Sequence, residues 1–447
     1  MAEAVAARSP SPLAQPEGVT AAFNSDAVAR VSVSEPAWLQ ELRAAAWDTY
    51  ERTPLPVRKL EEWRYTDVKL FRLNEVALAD PAADSPALDD VRATLARREA
   101  SARVLQVGNA PPEIWLAPEL AAQGVVLEDL RTAAATRREL VEAHLATRAV
   151  PARAGKFAAL NAALWQSGLF LHVPRGVRVA RPIRVVRWIP GAGVAILPRT
   201  LLIAESRSSV ALVEEFLSPD LEGPSLSVGA VEAFAGDAAE VQYVALQSWG
   251  RGVRHISMQK TIAGRDAKLD TLVVNLGASV ARVDQWAALE GPGARSDMLG
   301  LYFASDDQHF DMSTRQDHTV PHATSDLLYK GALYDRARTI FRGLIKVFPN
   351  AQRTDAYQTN RNLLLSDKAE ATSLPNLEIE ADDVRCSHAS TVGHLDDEEL
   401  FYIMSRGVPP ALAERLVVFG FFGDVLDRLP LPGVVDELKA AIARRIG

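Results

Sequence analysis

The sequence predicts a mainly β chain, a β-solenoid with helical segments before and after it. Three observations carry that expectation. From Gly168 onward the text alternates apolar and polar residues, as in FLHVPRGVRVARPIRVVRWI, which is the grammar of half-buried strands. Small turn elements return between these segments: Ser208-Ser209, Gly236-Asp237, Gly264-Arg265-Asp266, Gly291-Pro292-Gly293 and Tyr334-Asp335. The first four recur at roughly 27 to 29 residues, a period that signals stacked repeats. Helical text between the strands is almost absent, which argues against a doubly wound α/β sheet. A β-sandwich is the second choice.

Taken in order, residues 1–30 read as a disordered lead-in with no basic-then-apolar signal pattern. Residues 31–166 read as a mostly helical N-terminal domain. In EPAWLQELRAAAWDTYERTPLP, Trp38, Leu39, Leu42, Ala46 and Tyr50 recur at helical spacing, and Pro54 and Pro56 stop the helix. The segment PVRKLEEWRYTDVKLFRL reads as an ion-pair and aromatic cluster pinning the chain to its core. An Ala-rich helical stretch over residues 80–100, a strand in ASARVLQVGN and helices in LRTAAATRRELVEAHLATR and AGKFAALNAALWQSG complete this unit. Residues 167–394 form the solenoid. Residues 395–447 return to helices: Asp396 with Glu399 makes a capped start, Gly407 a stop, and Pro409-Pro410 opens ALAERLVVFGFFGDVLDRL. That helix is apolar on nearly every side, which suits either full burial or docking of a partner. A last helix runs from Val434 to Ile446.

Composition narrows the function. With 48% hydrophobic and 24% charged residues and a net charge of −8, the chain reads as a soluble globular protein. The negative charge argues against nucleic acid as the main partner, which would need a basic face, and no apolar run is long enough for a membrane span. One cysteine excludes an intramolecular disulfide and suits a reducing cytoplasm. It also means that the chain cannot supply the thiolates of an iron–sulfur cluster alone. There is no G-x-x-x-x-G-K-[ST], no G-x-G-x-x-G opening a helix, no G-x-S-x-G and no H-E-x-x-H.

The densest grouping of ligand-type residues is LPNLEIEADDVRCSHASTVGHLDDEELFYIMSRG. It holds Cys386, His388, His394 and the acidic string Glu378, Glu380, Asp382 and Asp383. In an extended segment Cys386 and His388 project to the same face, a thiol and an imidazole able to share a metal site. The acidic string reads as a solvated face, with Asp382 and Asp383 shaping the turn before Cys386. His309, His318 and His322 form a second group. In strand grammar the even spacing of His318 and His322 puts them on one side, and hydrogen-bonded structural histidines are the preferred reading.

These residues carry a resemblance. The run TDAYQTNRNLLLSDKAEATSLPNLEIEADDVRCSHASTVGHLDDEELFYIMSRG, with HTVPHATSDLLYKGALYDRARTIFRG and RKLEEWRYT, resembles the SufB/SufD family of iron–sulfur cluster assembly proteins. It is closer to the SufD branch: Asn360 in NRNLL stands where SufB carries a scaffold cysteine, and Cys386-Ser387-His388-Ala389-Ser390 where SufB reads E-H-E-A-T. Ser390 departs from the usual C-S-H-G-A-T of the branch. The resemblance implies a right-handed parallel β-helix that pairs with a SufB-like paralogue, His388 lying at their interface with Cys386 in support. It implies a transient iron–sulfur cluster shared with SufB and none held by this chain alone. It also implies C-terminal helices that dock SufC, an ABC-type ATPase. Phe401, Arg406, Gly407, Leu412, Leu416, Phe419 and Phe422 are the docking candidates, and His318 and His322 are secondary site candidates. The expected role is a non-catalytic cytoplasmic scaffold. Two rival readings are a β-helix polysaccharide-active enzyme using the acidic string, and a homodimeric structural protein with no metal role.

Overall fold

The computed structural model describes residues 22–78 and 86–446. Two sheets face each other across an apolar interior, and the chain alternates between them strand by strand to make a solenoid of about eight turns. One sheet ends with strands His309–His318, Arg338–Val347 and Glu370–Ile379. The other ends with Thr324–Leu333, Asp355–Leu364 and Arg385–His394. Every ladder between neighbouring coils is parallel, for example Val280↔His309↔Arg338↔Glu370. Alternate residues of each strand point inward, so Phe310, Met312, Leu327, Tyr329 and Phe341 fill the interior.

The repeat turns have a physical cause. One corner places Arg207, Ala238, Asp266, Gly293, His322 and Arg353 at positive φ. Their N–H groups hand on to the next coil, as Ala238 to Arg265 O at 2.8 Å and His322 to Gln352 O at 3.0 Å. Tyr334-Asp335 does not belong to this set. It lies at the opposite corner, where Gly252, Ala278, Asp306 and Asp335 take positive φ, because both corners are tight turns with a left-handed residue.

The N-terminal unit is helical but joined to the solenoid. Helix Ala37–Arg52 buries Trp38, Leu39, Ala46 and Tyr50. The expected lead-in falls for residues 1–21 outside the described residues, but Ser25–Val31 is a helix capped by the Asn24 side chain. LRTAAATRRELVEAHLATR breaks at Arg137 into Leu130–Thr136 and Arg138–His144. Strand Ala102–Val107 adds to the solenoid, parallel to Ile183–Trp188, and carries the antiparallel strand Glu113–Leu116. Val126–Asp129 pairs antiparallel with Gly168–Val173. The Arg58–Tyr65 region is pinned as read. Trp63 is buried with Arg282 stacked 4.1 Å over its ring, and Thr66 donates to Asp311 at 2.5 Å.

Helices Asp397–Ser405, Pro410–Leu426 and Pro432–Ile446 follow the last strand. The second lays Val418, Phe422, Val425 and Leu426 on the outer face of the second sheet, against residues such as Leu272, Leu299 and Leu301. Lys330 fixes it there by donating to Phe421 O at 2.7 Å and to Asp424 at 2.5 Å. No helix among the described residues is long and apolar enough to cross a membrane.

Candidate functional site

Among the described residues the solenoid has no cap at its C-terminal end: strand Arg385–His394 pairs on one side with Asp355–Leu364 and has no neighbour on the other. The register sets Cys386 beside Ala356, His388 beside Gln358 and Ser390 beside Asn360. Ala356, Gln358, Asn360 and Asn362 are buried. Cys386, His388 and Ser390 therefore continue the inward face of the solenoid onto its last, open coil. His388 is exposed there and Cys386 half-buried.

The sequence pairing of Cys386 with His388 on one face thus holds in the ladder. Their environments differ. Cys386 leans on Ile345, Val347 and Ala356, with Leu377 and Val384 beside it. Burial first, and then the Asp355 carboxylate, push its thiol above the ordinary value, against a hydrogen bond from the Ala356 backbone that lowers it. As it stands it is a neutral thiol rather than a ready thiolate. Among the described residues no three His, Cys, Asp or Glu side chains converge on one point. At this edge the chain offers a pair of donors.

Asn360 is 1% exposed. It donates to the Tyr302 hydroxyl at 3.0 Å and accepts from Asn362 Nδ2 at 2.8 Å. It is a member of an interior hydrogen-bond network one strand in from the edge.

The second histidine group separates. His318 ends its strand facing the interior, and Nε2 lies 2.8 Å from Ser325 Oγ. Burial pushes it down to about 4. His322 sits in the following turn at φ 63°, so it does not share a strand face with His318. His309 points outward, with Nε2 2.9 Å from Thr66 Oγ1. The expectation of one side for His318 and His322 fails because the strand ends at His318. The acidic string is solvated. Glu378 and Glu380 lie 2.9 and 3.5 Å from Lys346 Nζ, and Asp383 accepts from Arg353 N at 2.5 Å in the turn before Cys386.

The proposed docking residues also divide. Helix Asp397–Ser405 buries none of its residues; Phe401 and Tyr402 are 69% and 60% exposed, and Leu412 and Leu416 are 43% and 49% exposed. Arg406 and Gly407 are exposed, Gly407 closing the helix at φ 86°. Phe419 is half-buried, and Phe422 is fully buried against the sheet. Phe422 is therefore a packing residue: with Val418 and Leu426 it forms the stripe four residues apart that faces the strands. The residues that sequence reasoning missed are the exposed apolar side chains of the open end, Tyr357, Ile379 and Val392, and Tyr402 in helix Asp397–Ser405. Exposed aromatic and β-branched residues in the last two coils were the available signal.

Comparison with known proteins agrees with this architecture. Residues 187–421 match the model of the SUF system FeS cluster assembly SufBD core domain, and residues 21–185 that of the SufBD protein N-terminal region. The chain is 31% identical over 421 residues to the iron–sulfur cluster assembly protein SufD of Bacillus subtilis, covering 92% of this chain and 95% of that one. It is 36% identical over 291 residues to an iron–sulfur cluster assembly SufBD family protein of Mycobacterium tuberculosis, covering 63% and 72%. Over 318 residues it is 28% identical to SufB of Bacillus subtilis, covering 71% and 68%. Matches to both halves, and near full-length similarity to a SufD, mean that this chain belongs to the SufB/SufD family of iron–sulfur cluster assembly proteins and is SufD-like.

Proposed function

We propose that this chain is a non-catalytic, cytoplasmic scaffold subunit that brings half of a cluster-building seam. The carrying observation is that strand Arg385–His394, with His388 exposed on it, is paired on one side only among the described residues. A ten-residue strand edge open in this way is a template for another strand. In this reading a SufB-like subunit adds its own strand there. Its donors then stand opposite His388 and Cys386, completing a ligand set that two side chains cannot supply. The iron–sulfur cluster is cargo, held across the seam and passed on. Raised by burial, the Cys386 thiol supports the site and becomes a ligand only if an incoming metal or base takes its proton.

The arm formed by Asp397–Ser405 and the start of Pro410–Leu426 serves the second partner. Phe401, Tyr402, Leu412 and Leu416 are exposed apolar side chains on the two helices that follow the open edge in sequence, suited to docking a SufC-like ATPase. A second reading is favoured by the same edge, since two copies of this chain could pair through it.

The test is co-expression with SufB and SufC homologues, measuring complex mass and iron content. Wild type should give a mixed complex with iron. His388→Ala should keep the complex and lose most of the iron; unchanged iron would move the site elsewhere. Phe401→Ala with Leu416→Ala should release the ATPase alone. Substitution is a better probe than deletion of residues 408–429, which would strip Val418 and Phe422 from the sheet. A stable homodimer that never admits a SufB homologue would favour the second reading.

A further inference from the structure

Helix Asp397–Ser405 stands outside the packed body of the chain. None of its residues is buried, and Phe401 is the most exposed large apolar side chain among the described residues. Nine residues are too few to hold a helix in water by propensity alone, so packing normally supplies the stability. Here the chain covers one side only. Leu400, Ile403 and Met404, at three- and four-residue spacing, are half-buried, and the neighbouring element is helix Pro410–Leu426. Asp397, Glu398, Phe401, Tyr402 and Ser405 share the opposite, exposed face.

Carboxylates crowd the head of that face. Asp396, Asp397, Glu398 and Glu399 are all exposed. Asp396 is spent on the cap, accepting from Glu398 N at 2.8 Å. Asp397, Glu398 and Glu399 have no ion-pair partner among the described residues. Arg406, at the far end, is turned to Tyr402: it stacks 4.9 Å over the ring and donates to its hydroxyl at 2.8 Å. Acidic residues suit the start of any helix, but this fold does not depend on them. Helices Ala37–Arg52, Pro410–Leu426 and Pro432–Ile446 have none in their first turns.

Glu398 lies one turn before Phe401 and Tyr402, and Glu399 one turn before Tyr402. A partner that covers the aromatic pair therefore meets the negative charge with it. A purely apolar surface would strip water from unpaired carboxylates, and an acidic one would be repelled. The surface that fits is an apolar pocket with lysine or arginine on the rim nearest the helix head. We propose that the ATPase partner presents such a pocket, receiving Phe401 and Tyr402 while its cations pair with Glu398 and Glu399. The inference rests on the docking reading above and adds the chemistry of the partner's face.

The experiment measures binding of a SufC homologue to the full chain from about 50 to about 300 mM sodium chloride. Wild type should bind roughly tenfold more weakly at the higher salt, because exposed charge pairs are screened. Glu398→Gln with Glu399→Gln should bind several-fold more weakly at low salt and lose most of the salt dependence. Glu41→Gln with Glu119→Gln removes the same net charge from exposed positions on two other helices, and should match wild type. Phe401→Ala should weaken binding at both salts and keep the slope. A frayed helix would likewise keep the slope, so the slope separates recognition of charge from loss of structure. Binding without salt dependence, a wild-type slope in the Glu398 and Glu399 variant, or an equal loss of slope in the Glu41 and Glu119 variant would each overturn the proposal while leaving the docking site in place. Hydrogen exchange names the occupant: slowing of the Asp397–Ser405 amides by a SufB homologue and not by the ATPase would also overturn it. A SufC homologue that never binds wild type would overturn the docking reading itself.

Discussion

The two ends of the solenoid are finished differently. At the N-terminal end each sheet is closed by the chain itself. Val126–Asp129 runs antiparallel to the first strand of one sheet. Ala102–Val107 extends the other sheet and is itself covered by Glu113–Leu116. These closing strands are four residues long, short enough to blunt an edge. At the C-terminal end Glu370–Ile379 and Arg385–His394 present ten residues each, and no strand among the described residues pairs with their outer edges. The two open edges also differ from one another. Glu370–Ile379 carries Pro375, which cannot donate to a ladder, whereas Arg385–His394 has no proline. One end is thus closed by the chain and the other is left unblocked among the described residues, and of its two edges the strand bearing His388 is the clearer template for the pairing proposed above.

Proline substitution gives the largest contrast between the ends. Val185 is buried in Ile183–Trp188, with ladders on both sides. Val185→Pro removes a buried ladder bond and should cost about 3 kcal/mol or more, read by urea unfolding. At the open end one of two adjacent N–H groups faces outward, so Ala389→Pro and Ser390→Pro are made in parallel. One of them should unfold close to wild type yet fail to associate with a SufB homologue, read by complex mass. If both cost as much as Val185→Pro, the open edge is not a free edge and the comparison falls.

Ion pairs give the next contrast. Glu232 is fully buried at the seam between the helical unit and the first coils. It accepts from Arg199 at 2.6 Å and from the backbone of Ala146 and Val150 at 3.1 Å. Glu232→Ala would strand the Arg199 charge in the interior and should cost roughly 3–5 kcal/mol. Glu378→Ala, at the open end and in water, should leave the unfolding midpoint where it is. A pH effect is smaller. Burial holds His318 at about 4, so between pH 6.5 and 4 the unfolded chain takes up a proton that the folded chain refuses. Stability should therefore fall as pH drops through that window and level off below it, by about 1.4 kcal/mol per pH unit at most. Because other groups titrate there too, the measurement is the difference in slope between wild type and His318→Gln, which should unfold with the shallower slope.

What was legible in the sequence follows from repetition and periodicity. The helix Ala37–Arg52 shows a clear apolar stripe between proline stops, and the solenoid shows the same phrase many times over. The closing strands were not legible, because four residues carry little pattern and their partners lie far along the chain. The corner assignment of Tyr334-Asp335 was lost because both corners demand the same left-handed residues. Phe422 was misplaced since its helix is apolar all round, so periodicity does not say which side meets the sheet. The Cys386–His388 face was readable from spacing alone. That this face lies on an uncapped edge is a fact of topology, which the order of strands supplies.

The smallest effect concerns Cys386 and sharpens the account of the open end most directly. Burial and the Asp355 carboxylate both disfavour its thiolate, so alkylation by iodoacetamide at pH 7 should be slower than that of free cysteine. The rate should climb with pH and still be rising where free cysteine has levelled off. Asp355 pairs in register with Arg385, next to Cys386. Asp355→Asn removes the neighbouring negative charge and leaves burial in place, so it should raise the rate only a few-fold. Cys386→Ser should unfold within about 1 kcal/mol of wild type, since the side chain is half-buried and lies on the last coil. Adding a SufB homologue should then suppress alkylation of wild type far more than Asp355→Asn accelerates it. A partner strand laid on Arg385–His394 would cover Cys386, whereas pairing through any other face would leave the rate unchanged.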